Sequence, residues 1–158
     1  MEGGGQPDDQ GVTPREGMWK ALLLGTFVLF AARLALSLIR TGPIVVADEM
    51  GYLGNARAIV GNVGAQMELA PFYRAGYSLL IAPLVAIGGS PTFTYHLVLV
   101  LNALLVASVF PLLYLLLTRF GAVSRQVAIW AAFAAAVYPA LTVLSQAALS
   151  ENALFPLV

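Results

Sequence analysis

The sequence has no cysteine, which excludes disulfides, thiolate metal sites and thiol catalysis. Charge is scarce too. Only 10% of the 158 residues are Asp, Glu, Lys or Arg, and the formal net charge is zero. A zero balance argues against a nucleic-acid partner held by phosphate neutralisation. There is one histidine, His96, and a lone histidine at the start of an apolar run reads as a headgroup contact or a helix-start partner before it reads as a metal ligand. What fills the chain instead is hydrophobic: 59% of residues, with a mean hydropathy of +0.84. So apolar a chain cannot cover itself with polar surface, and the expected class is an all-α integral membrane protein.

Residues 1–17 are polar, rich in Gly, Asp and Gln, and expected to be a disordered cytoplasmic tail. The tail lacks the positive start and small-residue cleavage site of a signal peptide, so the next apolar run is expected to be retained. That run, Trp19 to Ile39, slightly exceeds the ~20 residues needed to cross a bilayer. Trp19, Lys20 and Arg40 suit its two interfaces. Arg33 lies inside it and is expected to snorkel towards the Arg40 end, the alternative being an anionic lipid or carboxylate partner. Further spans are expected at about 95–117 and 127–144, with the start of another at 153. The last apolar stretch, Ala153 to Val158, is too short to cross. The sequence is therefore expected to be the N-terminal part of a longer polytopic protein, or a truncated reading frame.

The connection from 40 to 94 holds most of the polar chemistry. Thr41-Gly42-Pro43 ends the first helix. Asp48-Glu49 then opens a segment in which Met50, Leu53, Arg57 and Val60 recur at helical spacing, widened by Ile59 and Val63. This predicts an amphipathic helix lying along the interface, with Asp48, Tyr52 and Asn55 on one face. Acids at a helix start also cap amides and complement the dipole, which is the structural account of Asp48-Glu49. Arg57, and Arg74 within Pro71-Phe72-Tyr73-Arg74-Ala75-Gly76-Tyr77, could hold a lipid phosphate beside aromatics that stack on a sugar, or simply anchor in headgroups. Ser78 to Ile87 is too short for a span and reads as re-entrant or interfacial. Arg119 and Arg125, in a loop without acids, are expected on the cytoplasmic side. That places the 40–94 loop and Glu151 together on the outer face.

An acidic pair with a following Tyr after the first span, a later Ala-Gly-Tyr, and an acid at Leu149-Ser150-Glu151-Asn152 after two more spans resemble the N-terminal module of GT-C type glycosyltransferases. The similarity is to the branch of protein O-mannosyltransferases and the aminoarabinose transferase of lipid A, and it covers roughly residues 19–158. It implies a polytopic helix bundle with juxtamembrane helices in the first outer loop, embedded in the cell membrane. It implies transfer of a sugar from a polyprenyl-phosphate carrier to a lipid or glycan acceptor hydroxyl at the cell envelope. By the resemblance Asp48 is the general base with Glu49 as its catalytic neighbour. Tyr52, Arg57, Arg74, Tyr77 and Glu151 are substrate-binding, with Arg74 preferred over Arg57 for the departing phosphate. No cofactor is assigned; a divalent cation stays open because members of the class differ. The piece alone is expected to be inactive. The competing readings are a non-catalytic assembly or lipid-binding membrane protein and a transporter fragment.

Overall fold

The computed structural model of the chain describes residues 14–43, 47–62, 64, 75–121 and 123–157. All regular structure among them is helical. Helix α1 runs Pro14–Ser37, so it takes up the end of the expected tail. Pro14 at its start forfeits a donor that has no intrahelical partner there. Helix α4, Pro91–Phe120, has 30 residues and is about 45 Å long. Its start is explicit in the sequence. The Ser90 hydroxyl accepts from Phe93 N at 3.2 Å and Pro91 follows the cap. Gly88 and Gly89, at φ 76° and 107°, make the reversal from α3 that side chains resist. Among the described residues, the segment Gly17–Ser37 and helix α4 are the two helices long and apolar enough to cross a membrane.

Between them lie α2, Ala47–Ile59, and α3, Ala75–Ala86, which pack closely on each other. The predicted juxtamembrane helix is therefore present, but its buried face differs from the predicted stripe. Met50 is 50% exposed, whereas Glu49, Tyr52, Leu53 and Ala56 form the buried i, i+3, i+4, i+7 row. Small residues at 51 and 56 let α2 approach α3, and the buried polar groups are hydrogen-bonded rather than excluded.

The expected third span, 127–144, is not one helix. Helix α5 covers Arg125–Ala136 and α6 covers Pro139–Leu144. Pro139 cannot donate to the ladder, and it forces Tyr138 to φ −54° and ψ 129°, outside the helical region. An irregular stretch, 145–150, leads to the short α7, Glu151–Leu154.

Two apolar clusters hold these elements. One unites α2 and α3 with the first turns of α4 through Tyr52, Ile81, Tyr95, Val98 and Leu99. The other unites α1, the second half of α4 and α5 through Leu22, Leu29, Phe110, Ala128, Ala132 and Ala136. The alanines at every fourth position of α5 give α4 a flat surface to approach. Met18 meets Tyr114 and Gly25 meets Phe110, so α1 and α4 are antiparallel. The N-terminus of α1, the C-terminus of α4 and the N-terminus of α5 thus share one end of the bundle. Asp48, Glu49 and Glu151 lie at the other.

Candidate active site

Proline 139 creates a problem that the polar side chains solve. The backbone of residues 145–150 leaves the helical ladder for turn hydrogen bonds and is buried from Ser145 to Ala148, and the groups that the turns do not pair are costly unless side chains pair them. Four buried side chains supply partners. Asn102 Nδ2 donates to the Ala147 carbonyl at 2.8 Å, and Asn152 Nδ2 reaches the same carbonyl at 2.9 Å and that of Leu144 at 3.0 Å. Glu49 Oε1 accepts from Ala148 N at 2.7 Å and from the Tyr95 hydroxyl at 2.7 Å. The Gln146 carbonyl lies 3.3 Å from the same hydroxyl.

The two adjacent acids therefore have opposite surroundings. Glu49 is fully buried, and its carboxylate fastens α2 to α4 and to the irregular stretch. Asp48, in the first turn of α2, is exposed. Asp48 is open to the surroundings of the protein, and Glu49 is not.

Tyr52 and Tyr77 extend the network. The Tyr52 hydroxyl donates to Ser150 Oγ at 2.8 Å, and that hydroxyl reaches Glu151 Oε2 at 3.3 Å. Ser78 Oγ donates to the Tyr52 carbonyl at 3.1 Å. The Tyr77 hydroxyl donates to Asn102 Oδ1 at 2.8 Å, and the two tyrosine rings meet edge to face at 5.3 Å. Burial, above all, pushes the Tyr77 phenol above its ordinary pKa, with the charges of Glu49 and Glu151 adding to the effect, so it stays a donor. The structure thus joins Glu49, Tyr52, Tyr77 and Glu151 in one cluster, with Asp48 at its exposed edge.

Arg57 is not brought to that edge. Nine positions after Asp48 on α2, it is two and a half turns on, about 13 Å along the axis and on the opposite face. It lines a cleft of about 710 Å³ with Asn62, Gly88, Gly89 and Thr94, away from Asp48. The helical phase thus sets Arg57, expected to bind substrate, apart from Asp48. Arg74, Tyr73 and Val63 lie outside the described residues. Among the described residues no cluster of His, Cys, Asp and Glu could hold a metal.

Arg33 does not snorkel. It is 2% exposed, with Nη2 donating to the Ala136 carbonyl at 2.6 Å and Nη1 to the Leu29 carbonyl at 3.2 Å. The end of α5 leaves carbonyls without intrahelical donors and carries the negative pole of its dipole, which together receive the cation. Gln146 Nε2 closes the contact by donating to the Arg33 carbonyl at 3.3 Å.

No local pattern singles out Tyr95 or Gln146: Tyr95 bonds the Glu49 carboxylate and the Gln146 carbonyl, and Gln146 bonds the Arg33 carbonyl, all far away in the sequence. Asn102, polar inside a long apolar run, carried the one available signal. Comparison of the chain with protein families, with characterised proteins and with solved structures finds no match.

Proposed function

We propose that the chain is a membrane glycosyltransferase or a catalytic part of one. It uses a polyprenyl-phosphate sugar donor and a lipid or glycan acceptor, with Asp48 as general base on the acceptor hydroxyl. Leu23, Leu24, Phe27 and Val28 of α1 are each at least half exposed, which supports insertion in lipid, since so large an apolar patch is unfavourable in water. On this reading α1 and α4 cross the bilayer, and α5 with α6 forms a broken crossing whose irregular backbone is shielded by protein. The basic end is cytoplasmic and the acidic end outside.

The observation that carries the catalytic part is the split between the acids. Glu49 is spent on architecture, and this holds its neighbour Asp48 on a fixed backbone at the accessible edge of a tyrosine-rich cluster. A fixed, accessible carboxylate is what a general base requires. Glu151, tied to Tyr52 through Ser150, is the second acid at that edge and binds acceptor or sugar. The test is transfer from a radiolabelled polyprenyl-phosphate sugar in membranes containing the full-length protein. Asp48→Asn is expected to lower the rate ~10²–10⁴-fold with the amount of inserted protein unchanged.

One observation favours a non-catalytic assembly protein: every described hydrogen bond of the cluster serves the fold. On that reading Asp48 only complements the helix dipole, and Asp48→Asn leaves transfer by the membranes untouched.

A further inference from the structure

The basic end of the bundle carries its own cleft, of about 810 Å³, where α1, α4 and α5 meet. Met18, Trp19, Tyr114 and Thr118 line it together with Arg119 and Arg125. Both arginines are exposed and neither forms an ion pair among the described residues. No Asp or Glu occurs anywhere from residue 75 to 150, so α3, α4, α5 and α6 bring no acid to them; the acid nearest the cleft in sequence is Glu16, at the start of α1. The Ser124 hydroxyl beside them is already engaged, accepting from Val127 N at 3.3 Å as the cap of α5.

The cleft has two chemistries in a fixed order. Met18 and Trp19 belong to the first turns of α1 and Tyr114 to the C-terminal part of α4, and the Tyr114 hydroxyl is bonded to the Met18 sulfur. The guanidinium groups lie beyond them, at and past the end of α4. An amphiphile with an anionic head and an apolar body fits that order: tails along the helices, head at the arginines. Paired guanidinium groups favour phosphate, whose oxygens accept forked N–H donors. The depth, at the common end of two membrane-length helices, is that of headgroups.

We propose that this cleft is a binding site for an anionic glycerophospholipid, whose phosphate is held between Arg119 and Arg125. The inference rests on insertion of α1 and α4 in the membrane and not on the transfer chemistry. Loss of transfer in an Asp48 variant bears on neither its success nor its failure.

Trp19 makes the site measurable. The chain has two tryptophans, Trp19 and Trp130, so a Trp130→Phe protein reports from the cleft alone. This protein is reconstituted in phosphatidylcholine vesicles containing brominated phosphatidylglycerol or, at the same mole fraction, brominated phosphatidylcholine. Trp19 should be quenched preferentially by the brominated anionic lipid. Arg119→Gln and Arg125→Gln should each lower that preference about fivefold, and Arg119→Lys, which keeps the charge and loses the fork, should fall between wild type and Arg119→Gln. Equal quenching by the two brominated lipids, or a preference unchanged in the double Gln variant, would overturn the proposal. Inorganic phosphate or glycerol 3-phosphate added at millimolar concentration should leave the preference intact. If either abolishes it, the cleft is a site for soluble phosphate and the lipid assignment fails.

Discussion

Removing the Glu49 carboxylate is expected to cost more than softening it, because one oxygen serves both the Ala148 amide and the Tyr95 hydroxyl in a dry environment. Glu49→Ala leaves a buried backbone donor without its partner and should destabilise the protein by ~2–4 kcal/mol. Glu49→Gln keeps an acceptor oxygen and should cost about 1 kcal/mol. Unfolding in detergent followed by circular dichroism separates the two, and equal losses would contradict the pinning role. The same logic applies to Asn102, which accepts from Tyr77 and donates to Ala147. Asn102→Leu removes both bonds and should cost ~2–3 kcal/mol in the same assay. Asp48 belongs to a different category. It is exposed, so its replacement by Asn should leave the unfolding midpoint within ~0.5 kcal/mol of wild type.

Among the helices, glycine shows where contact is tight. A Cβ at Gly25 would lie 2.5 Å from Phe110 Cε1, and that ring is held edge to face by Phe133 at 5.6 Å. Gly25→Ala should therefore push α1 off α4 and cost ~1–3 kcal/mol. Gly54, inside α2, has open space around it, and Gly54→Ala should stabilise by ~0.5–1 kcal/mol. Paired thermal melts check the opposite signs. The elements also show how far the sequence could be read. Helices α1 and α4 are legible because long apolar runs have one solution in lipid, and Ser90-Pro91 marks the start of α4 directly. The division of α5 from α6 is harder to see. Pro139 sits near the end of an apolar run, where it could equally have terminated one helix. The buried face of α2 is illegible to hydrophobic periodicity for a physical reason. Glu49 and Asn55 are buried, and Glu49 is held there by partners almost a hundred residues away or on another helix. Hydropathy registers the residue and not the backbone group that it satisfies.

At the scale of the whole molecule, charge gathers at the two ends without a clean separation of sign, since Arg40 and Arg57 share the end of the three acids. Arg119 and Arg125 lie at one end, and Asp48, Glu49 and Glu151 at the other. The antiparallel pairing of α1 with α4 sets the two ends apart, and on the proposed topology the end of Arg119 and Arg125 is the cytoplasmic one. Because the chain has no cysteine, a single Cys at any position is a unique probe. Cysteines at 48 and 151 should both react with an impermeant maleimide in intact cells, and one at 124 should react only after the membrane is opened. Reaction of 48 and 151 from different sides would break the shared acidic face. The candidate site was partly legible at this scale. The order of the acids along the chain points to it, whereas the structural role of Glu49 depends on Tyr95 and Ala148, which no local pattern connects to it.

The central claim is that of two neighbouring acids one is architecture and the other chemistry. Its most direct measurement is the transfer rate of full-length Asp48→Asn per folded, inserted molecule, set against wild type. A loss of ~10²-fold or more at unchanged stability is the predicted result. Transfer at the wild-type rate would contradict it.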